Sequence, residues 1–572
     1  MVVANHKSQI TSVPSPATNT SWRFGDLSAA QLMPQLQKHL LAQDNDANWQ
    51  LVWLNNDGHP IIGLLPKVSW SVYFANQAPS TPYKVTTHHR DARTTNYTSK
   101  NKVPTTAHMS YGLWQEELIA YSRYYESDSA DRSISKESEN PNYYHGLIGF
   151  IGYDIAAHEL SPAANIELAA QPCAVLGHYD IYLTPTDKDN HSAWSLKVIK
   201  TYNDDDECEK TNALVIALTA YLEALDKTLS DKLVNQESVK TSSKLAPLAL
   251  TARWDKNDYQ KAFDQTQDYL EQGDCYQINL TQAWHGKLAH QYASDHSLTN
   301  LIDYLPSLHQ NTQAPFAGYL ASHCLDNKPD DDVDTAIQDQ ASLSAYSTEN
   351  HNTFELLSCS PELFFTFIKD NETGKHHIRT KPIKGTMPRG VTTEQDRTYK
   401  QQLINSEKDR AENVMIVDLL RNDLGKYAKI GSVKVPQLFA IESFSNVHHM
   451  VSTITAELKT DTHPLAVLFG SLPAGSITGT PKKRSVEIIS ELEAAPRGAY
   501  CGTMGYMNFD GSGQWNVLIR TIQALSSQSD SDKGQVSLWA GGGVTVASDC
   551  NAEYQECLDK VGNLLSVLAQ QT

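Results

Sequence analysis

Cysteine is scarce in this sequence. Eight cysteines occur among 572 residues. None of them lies in a Cys-x-x-Cys pair, and no Cys/His cluster has zinc-finger spacing. This pattern excludes a disulfide-stapled secreted scaffold and indicates free thiols in a reducing compartment.

Long apolar runs are also missing. The most apolar long window, residues 213–225 (ALVIALTAYLEAL), is too short to span a bilayer and contains Glu223, so it predicts a buried amphipathic helix. Residues 1–22 lack the apolar core of a signal peptide. We therefore expect a soluble, cytoplasmic protein without a membrane-spanning segment.

Positive charge is in the minority. The chain has 47 Lys and Arg against 66 Asp and Glu, which gives a formal net charge of −19. Because phosphate contacts need clustered cations, this balance argues against a general nucleic-acid partner and against an anionic membrane surface. A small anionic substrate remains compatible with the sequence if a metal or a few local cations reverse the field in one pocket.

The length and the polar stretches predict more than one region. Three stretches have little to bury and read as linkers or insertions: residues 126–142, 230–245 and 326–353. We place the main boundary in the second stretch. This divides the chain into an N-terminal region, residues 1–245, and a second region, residues 250–565.

The hydrophobic patterns alternate between short strands and long helices, which predicts an α+β fold. Neither a G-x-G-x-x-G loop nor a G-x-x-x-x-G-K-[ST] loop is present, so nucleotide-binding folds are not indicated. The predicted strands are residues 49–54, 61–65, 146–154, 363–368, 377–379 and 536–540. The predicted helices are residues 256–272, 401–424, 482–492 and 551–569.

Carboxylates occupy unusual positions on two of these helices. Glu412 heads an apolar stripe, and an ionised carboxylate there needs either a buried cation or a divalent metal. Glu553 and Glu556 are three residues apart, so they share one helix face. Their spacing fits Mg²⁺, but it also fits a solvated acidic helix start, and spacing alone leaves both interpretations open.

Two glycine-rich segments and one lysine stand out beside them. Gly541, Gly542 and Gly543 follow a predicted strand, and residues 473–482 (PAGSITGTPK) precede a predicted helix whose start they could cap. Lys384 lies in TKPIKGTMPRG, which reads as a stiffened turn. It is a candidate amine nucleophile if its surroundings desolvate it, and otherwise a surface lysine.

Taken together and in order, these segments resemble the chorismate-utilising enzymes, most closely those that aminate chorismate at C4. The match covers essentially all of residues 250–565, whereas the N-terminal region matches mainly through GLIGFIGYD. The segments that carry the resemblance are GDCYQINLTQ, APF, SCSPELF, TKPIKGTMPRG, KDRAENVMIVDLLRNDLGK, GSVKVPQLFAIESFSNVHHMVSTI, GSITGTPKKRSVEII, AYCGTMGY, NVLIRT and AGGGVTVASDCNAEYQECLDKV.

The resemblance implies a fold and a set of binding residues. The fold would be α+β, with two related subdomains whose packed β-sheets are flanked by helices. Mg²⁺ would be held by Glu412 and Glu556, with Glu553 as a direct or water-mediated ligand, and the metal would bind a carboxylate of chorismate. The residues implied around the substrate are Gln277, Gly385, Thr386, Tyr500, Arg520, Gly541, Gly542 and Gly543.

The resemblance also implies the chemistry. Glu362, with its pKa raised by burial, would protonate the departing 4-hydroxyl, and Lys384 would add at ring C2 before ammonia attacks C4. Relatives that form anthranilate carry Ala at the position of Lys384. Relatives that use water carry a Lys base at the position of Gln277. Ammonia would come from a separate glutamine amidotransferase subunit, since no G-x-C-x-G elbow is present.

Three functions follow in order of preference. The first is aminodeoxychorismate synthase activity in the synthesis of 4-aminobenzoate and folate. The second is anthranilate synthase activity, which also eliminates pyruvate. The third is a non-catalytic chorismate-binding subunit, which would be expected to have lost Glu362 or a metal carboxylate.

Overall fold

The structure, a computed structural model, describes most of the chain. The described residues are 21–43, 50–75, 80–90, 105–126, 140–162, 164–167, 169–186, 193–199, 205–234, 245–288, 300–324, 352–444, 447–527 and 534–570. Most of the polar stretches predicted as linkers or insertions, at 126–142, 230–245 and 326–353, lies outside the described residues.

Strands dominate the centre of the molecule. In chain order, the strands of the described part are β1 (Ser21–Trp22), β2 (Leu51–Leu54), β3 (Ile61–Leu64), β4 (Val68–Phe74), β5 (Tyr83–His89), β6 (Thr105–Met109), β7 (Gly146–Ile151), β8 (Ala174–Tyr179), β9 (Ile181–Pro185), β10 (Trp194–Val198), β11 (Thr251–Ala252), β12 (Gln277–Lys287), β13 (Gly318–Cys324), β14 (Asn352–Ser358), β15 (Leu363–Lys369), β16 (His376–Thr380), β17 (Ile383–Pro388), β18 (Lys434–Ser443), β19 (Val447–Glu457), β20 (Gly479–Thr480), β21 (Thr503–Asn508), β22 (Gly513–Asn516), β23 (Thr521–Ser527) and β24 (Gln535–Val544).

Helices accompany the strands throughout the described part. They are α1 (Ala29–Gln43), α2 (Tyr111–Glu126), α3 (Tyr153–Leu160), α4 (Asp205–Val234), α5 (Lys256–Glu271), α6 (Leu305–Thr312), α7 (Thr393–Asn405), α8 (Glu407–Gly425), α9 (Pro464–Ser471), α10 (Lys482–Glu493) and α11 (Cys550–Ala569). None of the described helices is long and apolar enough to cross a membrane.

The strands form two large sheets whose paired strands are antiparallel. The first runs β1-β10-β9-β3-β2-β13-β14-β23-β24-β12-β11, with β20 paired to β12. The second runs β17-β19-β16-β15-β22-β21-β7-β8-β4-β5-β6, with β18 paired to β19. Each sheet takes strands from both predicted regions. The two regions join within the first sheet where β2 pairs with β13, and within the second sheet where β7 pairs with β21. The predicted α+β fold is confirmed.

The predicted apolar runs are strands with buried side chains. Residues 61–65 and 363–368 correspond to β3 and β15, and residues 146–154 contain the fully buried β7. Strand β7 ends at Ile151, and the last residues of the motif, Tyr153 and Asp154, begin helix α3. The glycine at 149 permits close packing, because a Cβ there would meet the Val175 carbonyl oxygen at 1.9 Å.

The prediction of one continuous helix over residues 401–424 is wrong. Residues 401–424 form the end of α7 and most of α8, and the two helices are separated at Ser406. The Ser406 side chain accepts a hydrogen bond from the Asp409 amide at 3.2 Å and so caps the new helix. Ser406 and residues from the first turns of α8 line a cavity.

Two predicted turns are also wrong. Gly541, Gly542 and Gly543 lie inside strand β24 rather than after it, and Lys384 lies on strand β17. The segment at residues 473–482 does precede α10, but the N-cap residue is Pro481 and no side chain caps that helix. A strand presents alternate side chains to opposite faces. Its position on β17 therefore fixes the direction of the Lys384 side chain more closely than a turn would.

Candidate functional site

A cavity of about 670 Å³ lies where elements of the two sheets meet. Its walls come from β17, β24, the start of α8 and the start of α11, with Asn279 of β12 between them. Most of the residues predicted to form the site line this cavity, including three from other segments: Glu362, Lys384, Gly385, Thr386, Glu412, Tyr500, Arg520, Gly541, Gly543, Glu553 and Glu556. A cavity of this size is typical of small-molecule sites.

Lys384 points its amine into the cavity from β17. Its Nζ lies 3.3 Å from Glu412 Oε2, and the two side chains are only 17% and 14% exposed. The next residue, Gly385, has a φ of 81°, and a Cβ there would lie 2.8 Å from side-chain atoms of both Leu403 and Asp409. Glycine at 385 therefore lets α8 pack directly against the strand that carries the lysine.

Glu412 forms ion pairs with lysine side chains in this structure. Besides Lys384, it has Lys408 Nζ at 3.9 Å from Oε1. Ile416 and Leu420, one and two turns further along α8, are buried, which agrees with the apolar stripe predicted from the sequence. Two lysine side chains therefore lie within ion-pair distance of the Glu412 carboxylate.

Glu362 is a buried carboxyl group on the segment before β15. Its backbone is fixed because its amide donates to Ser360 Oγ at 3.2 Å and its carbonyl accepts from the Val517 amide at 3.0 Å. Burial raises the pKa of Glu362 to about 7, and the nearby Lys384 opposes this rise without cancelling it. A carboxyl group of this kind holds a proton near neutral pH and can donate it to a bound molecule.

The pKa of Glu362 gives a prediction about stability. The folded-state pKa of about 7 exceeds the ordinary value of 4.5, so the folded chain binds more protons than the unfolded chain between these pH values. The free energy of unfolding therefore falls as the pH rises through this window, by roughly 3 kcal/mol in total. Glu362→Gln removes the effect. We expect the stability of the variant, relative to that of the native chain, to increase between pH 5 and pH 8 in thermal unfolding experiments. If the stability difference between the two proteins is the same at both pH values, the assignment is wrong.

Two further carboxylates, those of Glu553 and Glu556 on α11, line the cavity. Glu553 is only 2% exposed, accepts a hydrogen bond from Ser548 Oγ at 2.8 Å, and lies 3.5 Å from Lys408 Nζ. Burial raises the pKa of Glu553, and the neighbouring carboxylate of Glu556 raises it further. Glu553 is therefore not part of a solvated acidic helix start.

Glu556 has the opposite pKa shift. Its side chain is 47% exposed and pairs with Lys560 Nζ at 2.6 Å. Burial alone would raise the pKa of Glu556, but the charges of Lys560, Lys384 and Lys408 outweigh it and lower the pKa. Lys560 also donates to the Gly541 carbonyl at 2.8 Å and so ties α11 to β24. In the described part of the chain, no three His, Cys, Asp or Glu side chains stand close enough together to hold a metal ion.

Two predicted residues, Gly542 and Gln277, lie behind the cavity wall. A Cβ at Gly542 would lie 2.9 Å from Glu553 Oε2 and 3.6 Å from Glu556 Oε1, so this glycine makes room for both carboxylates. Gln277 is fully buried, and its amide group packs where a Cβ of Gly543 would lie. Neither Gly542 nor Gln277 lines the cavity itself.

The remaining wall is aromatic and basic. The Tyr500 and Trp539 rings stack with centroids 5.9 Å apart, and Thr386 Oγ1 lies 2.8 Å from Nδ1 of the buried His449. Arg520 lines the cavity with a φ of 51°, an unfavourable conformation for a residue with a side chain. Such strain is commonly retained at functional positions.

Several lining residues were not predicted from the sequence: Asn279, Lys408, His449, Ser476, Trp539 and Lys560. Their segments were noticed, since VHHM, GSITGTPK and the C-terminal helix were all singled out. Periodicity alone could not assign them to the cavity, because their inward direction depends on sheet pairing over long sequence distances.

Known proteins with similar sequences identify the family of this chain. A family model described as chorismate binding enzyme matches residues 72–566. The chain is 36% identical over 428 residues to aminodeoxychorismate synthase component 1 of Salmonella typhimurium, which covers 74% of this chain and 76% of that protein. It is 36% identical over 446 residues to the Escherichia coli protein of the same name, with 77% and 80% covered.

A solved structure shares the fold. The crystal structure of anthranilate synthase component I from Streptococcus pneumoniae superposes with a TM-score of 0.57 at 19% identity, covering 98% of this chain and 100% of that one. At this identity the likeness concerns the architecture of the two sheets and their helices. The family match and the two relatives settle the membership: this chain belongs to the chorismate-binding enzymes.

Proposed function

We propose that this chain is the chorismate-aminating component of an aminodeoxychorismate synthase. The reaction replaces the 4-hydroxyl of chorismate with the nitrogen of ammonia and releases water, while the enolpyruvyl group stays in place. One observation carries the proposal: a single cavity holds the Lys384 amine and the Glu362 carboxyl group, whose pKa burial raises to about 7. The names of the two relatives support the same activity.

Glu362 serves as the general acid. Hydroxide is a poor leaving group, and a carboxyl group that is still protonated near neutral pH allows it to leave as water. The buried position keeps the proton on Glu362 until the substrate presents an acceptor. The carboxylate left behind lies in a cavity that also holds Lys384 and Arg520, and both lower the pKa of Glu362.

Lys384 serves as the nucleophile. As its unprotonated amine forms a bond to ring C2, both ring double bonds shift by one position and the C4–O bond breaks, with the proton from Glu362 completing the water molecule. Ammonia then forms a bond to C4, both double bonds shift back, the C2–N bond to Lys384 breaks, and the incoming nitrogen gives up a proton that restores Glu362. The amine thus divides one difficult substitution into two easier displacements.

Mg²⁺ is the cofactor that the carboxylates of the cavity fit. Glu553 and Glu556 share the space over Gly542, and hard carboxylate oxygens are the ligands Mg²⁺ takes from proteins, one or two at a time. Glu412 would contribute a third carboxylate, but it pairs with Lys384 here, and the three carboxylates would have to move closer together to share an ion. When bound, the ion would supply the positive charge that holds a substrate carboxylate in an otherwise acidic protein.

Gly542→Ala tests the magnesium proposal. The added methyl group would lie 2.9 Å from Glu553 Oε2 and displace the carboxylate. We expect the Mg²⁺ concentration for half-maximal activity to rise by about tenfold or more. Gly562→Ala on α11, the helix that carries Glu553, is the control, since a Cβ there meets nothing within 4 Å. If Gly542→Ala leaves the Mg²⁺ dependence unchanged, the two carboxylates do not hold the ion.

Ammonia would be delivered by a partner. The sequence lacks a glutaminase elbow, and the designation "component 1" of the relatives fits a second subunit. We propose a glutamine amidotransferase as that partner, so a high concentration of an ammonium salt should replace glutamine and the partner in vitro.

The proposed reaction is tested by product analysis. The purified chain is incubated with chorismate, Mg²⁺ and an ammonium salt, and the product is identified by mass spectrometry. Aminodeoxychorismate without pyruvate is expected. Anthranilate with an equal amount of pyruvate would support the rival activity, which the lysine at position 384 disfavours. A chain that binds chorismate but forms neither product would be a binding subunit.

A further inference from the structure

One buried guanidinium organises the cavity wall from behind. Arg497 is 1% exposed and is not a lining residue. Its Nε and one terminal nitrogen donate to the two carboxylate oxygens of Glu493 at 2.8 and 2.6 Å. The sequence did not predict Arg497 as a binding or catalytic residue, because its contacts other than Glu493 come from distant segments of the chain.

Arg497 contacts three separate segments of that wall. It donates to the carbonyl of Asn279 at 2.8 Å and to that of Ile477 at 3.4 Å, and its guanidinium lies 6.0 Å from the centroid of the Tyr500 ring. All three of these residues line the cavity. A fourth contact, with Thr281 Oγ1 at 2.9 Å, reaches the residue that packs against Gly541.

The N-terminal region holds this guanidinium in place. Asp154, the last residue of GLIGFIGYD, accepts hydrogen bonds from the amides of Arg497 and Gly498 at 3.1 and 2.8 Å. The neighbouring Tyr153 amide donates to the Gly498 carbonyl at 2.9 Å, and its ring centroid lies 4.8 Å from the guanidinium carbon. The motif of the first region therefore fixes the turn that carries Tyr500.

We infer that Arg497 and Asp154 are positioning residues for the chorismate subsite. The inference rests on the proposed function, and it assigns the N-terminal motif a part in substrate binding. The planar fork of an arginine can satisfy a carboxylate and several carbonyls at once, whereas a lysine ammonium can keep the charge but not the geometry. Loss of that geometry displaces the wall that contacts the ring substrate and leaves the binding of ammonia unaffected.

Arg497→Lys is the direct test, made in the full chain with chorismate, Mg²⁺ and an ammonium salt. We expect the KM for chorismate to rise by about tenfold to a hundredfold, the range that small misplacements produce, while the KM for ammonium stays within about twofold. Arg90→Lys is the matched control. Arg90 forms a buried bidentate pair with Asp180 at 2.7 and 2.9 Å, but it lies away from the cavity.

The outcomes separate the possibilities. If Arg497→Lys and Arg90→Lys lose similar thermal stability and only the first raises the chorismate KM, the inference holds. If both leave the chorismate KM unchanged, Arg497 is merely structural and the inference fails. Should Arg497→Lys not fold, Asp154→Asn gives the same readout, since it keeps the shape of the side chain and loses one acceptor. The native enzyme is assayed first, so absence of aminodeoxychorismate there would overturn the proposed function instead.

Discussion

Replacing Lys384 with alanine is expected to lower the rate of aminodeoxychorismate formation by at least about a thousandfold, since losses on removing a covalent nucleophile equal or exceed those for a general acid. The amine lies inside the cavity, 17% exposed, next to Glu412. Nothing else at that place on β17 can form the bond to ring C2. Steady-state kinetics with a saturating ammonium salt measure the effect directly.

The control for this variant is a second lysine on the same segment. Lys381 pairs with Glu442 at 2.6 Å and does not line the cavity. Lys381→Ala should therefore retain nearly full activity. If Lys384→Ala also turns over at the native rate, ammonia attacks chorismate without help from the lysine, and the covalent route is wrong.

Glu362→Gln is expected to lower kcat by about a hundredfold to ten-thousandfold, the usual contribution of a general acid. Glutamine keeps the shape of the side chain but cannot donate a proton to the leaving hydroxyl. The same variant should be the more stable protein above pH 7, because it no longer buries a charge. A loss of activity together with a gain in stability separates this result from simple unfolding.

The pH dependence gives an independent check on the same residue. Since Glu362 must be protonated to act, and burial raises its pKa to about 7 in the free protein, kcat/KM for chorismate should fall as the pH rises above 7 at a constant concentration of free ammonia. Glu362→Gln should lack this alkaline decline. A decline of equal steepness in the variant would mean that another group is responsible.

The sequence motifs identified residues that line one cavity, but they did not predict all of the local backbone. Glu362, Lys384, Glu412 and Glu553 all lie on the one cavity, as the ordered motifs implied. The backbone around them differs from the prediction at residues 401–424. Helical periodicity continues through Ser406, and only its capping contact with the Asp409 amide shows that one helix ends and another begins there.

The glycines of β24 show a second limit of sequence patterns. Three successive glycines ordinarily favour a turn, yet here the strand continues through them because β12 pairs with Gly541, Gly542 and Gly543. The reason for glycine lies outside the strand, in Glu553, whose carboxylate would meet a Cβ at Gly542. Local propensity carries no information about a neighbour from another helix.

Arg497 shows the third limit. Glu493 is only four residues away, but the partners Asp154, Asn279 and Ile477 come from three distant segments, and nothing in their spacing brings them together. Only the pairing of strands within the two sheets does so. Arg497 is also buried, so its exposure does not mark it as a binding residue. Its effect on the substrate is transmitted through the backbone of the cavity wall.

The most direct test of the account is the search for a bond between Lys384 and the substrate. The enzyme is incubated with chorismate and Mg²⁺ in the absence of ammonia, quenched and digested, and the peptides are examined by mass spectrometry. The account predicts that the peptide containing Lys384 gains the mass of chorismate less one water, and that added ammonia discharges it. An unmodified Lys384 peptide from enzyme that forms aminodeoxychorismate normally once ammonia is supplied would contradict it.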